Sequence, residues 1–431
     1  MEFLANEFVE IYRTEKGKKQ FCYTPAICVL DSGRYIFSGD VGGNDATELP
    51  GYDAIPKNPA NGRVEFGQIF TSDDKGKTWQ RRAVRNFCHA RPFAVGNTVY
   101  LLGHSGDLVI YKSEDAGETW DNGTFLTQNE EWHQSACAYH MEDGVITLVM
   151  ETVKHREGDH QSGWYVANLC PVVMRARLSD DLTKKESWTF SNKVCFRDVL
   201  DVNESDLFGV PFYTPMEKQH LYKDEAGSDR YFCQNPGWLE TNVVKITDEK
   251  HYWCDKTGKT FHLFMRAHTA GSGFCCLMKA VVSEENGKEI ITVMPQENPS
   301  GKKVIFLPMP GGQMRFHILY DEKTKLYWLL STQCTDSMTR IELLSSERYN
   351  IPCDERDRLQ LSFSKNMVDW CFAGIVAKGD SEKQSRHYAC MAIDGDDLVI
   401  VSRSGDKDAF SAHNGNMATF HRVKDFRSLV Y

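Results

Sequence analysis

Tyrosine, carboxylates, arginines and histidines stand at the starts and ends of apolar runs along this chain. The starts carry Tyr23, His89 with Arg91, His133, Glu240, Arg315, and Arg386-His387-Tyr388. The ends add Asp40, Glu151, Arg266 with His268, and Arg403. Any one of these side chains alone reads as an ordinary structural polar group. Four or more arginines in one cleft are different, because like charges repel unless an anion compensates them. The histidines open a second chemistry. His89, His133, His268, His387 and His413 stand at run ends. An arginine to neutralise a carboxylate, a histidine or tyrosine base and a tyrosine acid are the parts of a polysaccharide lyase. No H-E-x-x-H or C-x-x-C pattern occurs, so neither a metal nor a cofactor is expected.

The elements that must position these residues are strands. Ser72 to Trp79 and Ser113 to Trp120 both spell S-x-D-x-G-x-T-W, and each follows a strand-like run. The aspartate turns the chain by accepting nearby N–H groups, the glycine supplies positive φ, and the tryptophan packs back over the hairpin. Two copies 41 residues apart make a repeat, and a repeat of that period points to propeller blades. Six strand–turn–strand units follow along the chain, at Tyr23–Asp40, His89–His104, His133–Glu151, Glu240–Arg266, Gln313–Gln333 and Arg386–Arg403. Degenerate turns precede Trp188 and Trp370. The expected fold is all-β, a six-bladed β-propeller with hairpins closed by these aspartate turns, in one domain over residues 1–431. The strand around Phe8–Arg13 is expected to complete the last blade and close the ring. An irregular insertion, Val199 to Asn235, falls between blades three and four.

The turn pattern resembles the Asp-box of the sialidase (BNR-repeat) superfamily. What the resemblance implies can be followed residue by residue. Where sialidases open blade one with Phe-Arg-Ile-Pro, this chain has Cys22-Tyr23-Thr24-Pro25, so Tyr23 replaces the first arginine of the carboxylate-binding triad. Glu240, followed by Leu263-Phe-Met-Arg266, matches the family's glutamate and second arginine, and Arg356, eight residues before Ser364, matches the third. Tyr388 matches the nucleophilic tyrosine, and the acid/base aspartate falls on Asp45 or Asp53. With one triad arginine missing, Arg91, Arg315 or Arg403 would share the grip on a carboxylate, with Tyr23, His133 and Asp40 also facing substrate. The implied activity is that of an exo-acting glycoside hydrolase on a terminal, acidic sugar of a glycan. A tyrosine with a pKa near ~10 attacks only if a carboxylate such as Glu240 takes its proton. Sialidases are the known tyrosine-nucleophile exception to the two-carboxylate rule. A lyase or other carbohydrate-active propeller enzyme, and a non-catalytic carbohydrate-binding propeller, remain as alternatives.

Bulk composition narrows the partners. A net charge of −10 without a long basic run argues against nucleic acid, and no stretch approaches the ~20 apolar residues that span a bilayer. Several of the fourteen cysteines, such as Cys22, Cys28, Cys137 and Cys390, lie inside apolar runs and read as free thiols of a reducing compartment. The first residues show no leader pattern, so a cytoplasmic location is expected, with a leader already removed left open. Oligomeric state is open.

Overall fold

The computed structural model describes residues 2–133, 137–155, 166–200, 205–206, 221–223, 229–231, 237–269, 271–338 and 355–431. Six antiparallel sheets form the blades of a propeller. Blade one pairs both Phe21–Cys22 and Ala26–Val29 with Tyr35–Gly42, then adds Phe66–Ser72 and Gln80–Arg85. Its first strand is broken at Thr24-Pro25, where proline has no N–H to donate. Blade two runs Cys88–Val95, Thr98–Ser105, Asp107–Ser113 and Thr124–Phe125. Blade three runs His140–Glu142, Val145–Val153, Leu169–Arg177 and Thr189–Phe190. Blade four holds Gly237–Val244, Thr260–His268, Phe274–Glu285 and Lys288–Met294. Blade five holds His317–Asp321, Leu326–Thr332, Arg358–Ser364 and Cys371–Lys378.

Blade six closes the ring. Arg386–Asp394, Asp397–Ser404 and Met417–Val423 are completed on the outside by Val9–Arg13, paired antiparallel with Met417–Phe420. The expected closure by the N-terminal strand is observed. Most of the expected insertion, Val199 to Asn235, lies outside the described residues. Among the described residues no helix is long and apolar enough to cross a membrane.

The middle strands do not alternate apolar and polar residues, because both faces are covered by neighbouring blades. Apolar clusters fill each of the six gaps. Ile36, Ile69 and Phe87 pack with Leu101, Val109 and Trp120 between blades one and two. Tyr35, Phe37 and Phe70 of blade one meet Val399, Val401 and Phe420 of blade six across the closure.

The two aspartate turns are the same object twice. Asp74 accepts from the Thr78 N–H at 2.9 Å and the Thr78 hydroxyl at 2.6 Å, while Gly76 N–H donates to Ser72 Oγ at 2.9 Å. Asp115, Thr119, Gly117 and Ser113 repeat those bonds at 2.9, 2.6 and 2.8 Å. Each tryptophan donates back to its glycine carbonyl at 3.1 Å. Held chiefly by the threonine hydroxyl, both carboxyls are pulled down to about 2. Gly76 and Gly117 have φ of 86° and 85°, and each leaves room that a neighbouring blade fills. A Cβ on Gly76 would strike the Phe420 ring of blade six, and one on Gly117 would strike Ile36 of blade one. The turn is therefore a docking knob as well as a hairpin. In blade five Asn366 takes the aspartate's place, accepting from the Val368 and Asp369 N–H groups at 3.0 and 2.8 Å.

Candidate active site

Three inner strands carry the same bulge. Pairing with the second strand skips between Cys88 and Arg91 in blade two, Leu239 and Asn242 in blade four, and His387 and Cys390 in blade six. The residue just past the last paired position is left-handed each time: His89 at φ 50°, Glu240 at 63° and Tyr388 at 51°. That conformation costs a non-glycine residue on the order of 1–3 kcal/mol and persists only when its surroundings enforce it. In each case an ionisable side chain of the preceding blade does so. Asp40 Oδ1 accepts the His89 N–H at 3.3 Å. Glu151 Oε1 accepts the Thr241 N–H and hydroxyl at 3.1 and 2.8 Å, beside Glu240. Arg315 Nη1 donates to the carbonyls of Tyr388 and Ala389 at 2.7 and 2.6 Å.

The bulges of blades four and six bring their side chains together. Tyr388 donates its hydroxyl to Glu240 Oε1 in a short hydrogen bond. Arg266 Nη1 donates to the same hydroxyl at 3.0 Å, lies 3.6 Å from Glu240 Oε2, and is held by its Nε on the Gln313 carbonyl at 2.8 Å. Burial, then the Glu240 charge, pushes the Tyr388 phenol upward, while Arg266, Arg403 and Arg356 oppose the rise. The Arg403 guanidinium lies between two rings, 4.0 Å from the centre of Tyr388 and 4.8 Å from that of Tyr23. Burial lowers Arg403 to about 10. Arg356 stands 5.6 Å from the Tyr388 ring and donates to His387 Nδ1 at 3.1 Å. Tyr23 donates its hydroxyl to Asn414 at 3.2 Å.

The other residues expected from the sequence fall in different places. Asp40 is buried beside this cluster, accepts the Thr24 N–H at 3.1 Å, and has its carboxyl pushed up to about 7, mainly by burial. Asp45 immediately precedes the short 3₁₀ turn Ala46–Glu48, makes no side-chain capping bond to it, and accepts the Lys19 N–H at 2.7 Å. Asp53 is exposed on a second such turn, Tyr52–Ala54. Arg91 is buried with Nη1 on the Ala138 carbonyl at 3.4 Å. It lines a cavity of about 480 Å³, along with Cys137, His317 and Cys390. That cavity is bounded by the far halves of the inner strands, and neither Tyr388 nor Glu240 borders it. It is the opposite mouth of the axis from the Tyr388–Glu240 pair.

His133 donates its N–H to the Glu151 carbonyl at 2.7 Å, and its ring centre lies 4.5 Å from that of His89. Two further partners stand behind these residues, Glu151, which the sequence also singles out, and His104, which it does not. Glu151, pushed up to about 8 chiefly by burial, backs the Glu240 bulge. His104 Nε2 meets His89 Nδ1 at 3.2 Å, with Cys88 Sγ beside it. Only the pairing register of the bulged strands reveals either arrangement.

No family model matches the chain, and no curated protein matches its sequence. Solved structures match its fold. Trypanosoma rangeli sialidase in complex with sialic acid is similar over 98% of this chain and 59% of that one, with 11% identity and a TM-score of 0.51. The Hadza microbial sialidase Hz136 is similar over 95% and 66%, with 14% identity and a TM-score of 0.49. The Penicillium chrysogenum α-L-arabinanase complexed with arabinobiose is similar over 99% of both chains, with 12% identity and a TM-score of 0.48. At such identities the likeness is one of architecture, and the chain shares the six-bladed propeller fold of the sialidases.

Proposed function

We propose that this chain is an exo-acting glycoside hydrolase that removes a terminal acidic sugar from a glycan. The observation that carries the reading is the buried Tyr388 hydroxyl held between Glu240 and Arg266. In that reading Glu240 takes the phenolic proton as the tyrosine oxygen bonds to the anomeric carbon. The glycosidic bond breaks, and a carboxylic acid gives its proton to the leaving oxygen. Asp40, buried beside the cluster with its carboxyl pushed up to about 7, suits the acid's role by place, whereas Asp45 and Asp53 stand on the outer 3₁₀ turns. Water then attacks the sugar–tyrosine bond with the same aspartate as base, and Tyr388 recovers its proton from Glu240.

Three buried arginines around the Tyr388 ring, Arg266, Arg356 and Arg403, favour an anionic sugar. A neutral phenol suits an anomeric centre bearing its own carboxylate, which would repel an anionic nucleophile.

The test is a panel of aryl glycosides with sialic-acid, uronic-acid and neutral-sugar donors, run on wild type beside Tyr388→Phe. Hydrolysis of an acidic donor, lost in the variant, supports the reading. Hydrolysis that survives the substitution refutes the tyrosine mechanism, and inactivity on every acidic donor refutes the substrate class.

A further inference from the structure

Arg91 stands in the inner strand of blade two, and Arg315 just ahead of the inner strand of blade five. In a six-bladed ring those two blades face each other across the axis. Both arginines are only 1% exposed. Arg91 Nη1 makes one long bond of 3.4 Å to the Ala138 carbonyl, and its Nε and Nη2 have no hydrogen-bond partner among the described residues. Arg315 uses Nη1 on the Tyr388 and Ala389 carbonyls, and its Nε and Nη2 are likewise unpartnered. Between them His317 offers a third unpartnered nitrogen, Nδ1. Burial, then Arg315 and Arg91, push this imidazole down to about 3, so it is neutral. Buried cations without partners are costly, and two of them in one cleft call for an anion.

Arg91 and His317 border the cavity of about 480 Å³ at the mouth away from Tyr388. That volume falls within the roughly 300–1,000 Å³ of small-molecule sites and is far more than a single ion fills. The inner-strand residues around it are largely apolar, with Ile27, Val243, Ile318 and Met391 among them. Its rim is acidic. Asp31, Glu142 and Glu322 are exposed there against one lysine, Lys245, which is already paired with Glu142. A multiply charged anion such as a phosphate ester meets repulsion at that rim, and a single carboxylate meets less. The planar fork of a guanidinium takes a carboxylate through two parallel bonds, and a neutral imidazole still offers one N–H.

We propose that this mouth is a second binding site, where Arg91 and His317 hold the carboxylate of a small organic acid whose apolar body lies against the inner strands. Arg315 adds positive charge from behind, without bordering the cavity. The bound acid supplies the counter-charge for the two buried arginines. The site does not rest on the glycosidase reading, because neither Tyr388 nor Glu240 borders it.

The probe is benzoate alone, titrated into the full chain by calorimetry in a chloride-free buffer. Wild type should show saturable binding, and benzyl alcohol, which has the same body without the charge, should bind at least about tenfold more weakly. Arg91→Met should weaken benzoate binding by at least about tenfold. Arg356→Met, beside Tyr388 at the other mouth, should leave it unchanged. Arg91→Met puts an apolar chain where an unpartnered charge was buried, so its melting temperature without benzoate should match or exceed that of wild type. Should it fail to fold, Arg91→Lys, which keeps the charge and loses the fork, should show weakened benzoate binding in its place. No saturable binding in wild type, or wild-type affinity in both Arg91 variants, overturns the proposal. Loss in Arg356→Met overturns it by moving the benzoate to the tyrosine side. Chloride or sulfate binding as tightly as benzoate overturns the organic-acid assignment.

Discussion

Glu240 and Tyr388 occupy the same structural position in their blades, although 148 residues separate them. Each is the left-handed residue just past the last paired position of an inner strand. The pair that shares a proton is thus built from one repeated irregularity, in blades four and six. The strain at both sites is fastened from behind, by Glu151 at one and Arg315 at the other.

Replacing Glu240 by Gln keeps the shape and removes the proposed base. Hydrolysis of any accepted donor should fall about 10²–10⁴-fold. Binding of the product sugar should change far less, which isothermal calorimetry can check. Equal losses in rate and in affinity would assign Glu240 to substrate binding instead.

Arg315 acts on Tyr388 through its backbone. Arg315→Met removes the Nη1 donor to two carbonyls, and charged hydrogen bonds of this kind are each worth about 1.5–3 kcal/mol. Urea denaturation should show a loss of that order. Relaxation of the bulge should also lower kcat more than it raises KM. A stability loss with unchanged kcat would show that the bulge holds without this arginine.

Two buried acids give the stability a pH slope of known sign. Asp40 is raised from 3.8 to about 7 and Glu151 from 4.5 to about 8, both mainly by burial. Between those limits the folded state keeps a proton that the unfolded state has lost. Their contribution is complete below pH 4, and stability falls as pH rises toward 8, by about 1.4 kcal/mol per unit for each group. Denaturation midpoints between pH 5 and 8 should flatten by roughly half of this slope in Glu151→Gln. A variant with the wild-type slope would mean that Glu151 is ionised in the fold.

Gly76→Ala tests the turn as a docking knob. It forces a side chain onto φ 86° and against Phe420, so a loss of about 1–3 kcal/mol is expected. Gly96→Ala is the control, with φ 59° and open space around it. If both cost the same, the backbone alone explains the effect and the contact with blade six contributes nothing.

Much of the architecture was readable because its signals are local. Aspartate, glycine, threonine and tryptophan at fixed offsets specify a turn whatever surrounds it, and Ser72–Trp79 and Ser113–Trp120 fold alike. Glu240, Arg266 and Tyr388 were legible by blade order, and the structure brings these three together. The His89–His104–Cys88 group was not, because it depends on a positive φ at a histidine, which no residue type announces. Glu151 was invisible as a protonated brace for a similar reason. Its raised pKa comes from burial and from Glu240, both products of the assembled ring. Arg91 shows the converse limit. An arginine at a strand start is easily placed on the axis, but as the first paired residue after the bulge it faces the opposite mouth.

The closure of blade six also sets a timetable. Arg13 and Met417, which pair across it, are 404 positions apart. At a synthesis rate of about 5–20 residues per second, Val9–Arg13 leaves the ribosome roughly 20–80 s before its partner strand exists. During that interval the nascent chain holds an unpaired strand and an uncovered face on blade one, where Tyr35, Phe37 and Phe70 await Phe420. Blades one to five can stack in order as they emerge. The ring, and with it the meeting of Tyr388 and Glu240, can form only after the last blade is complete. The Tyr388–Glu240 pair is thereby conditional on a closed ring.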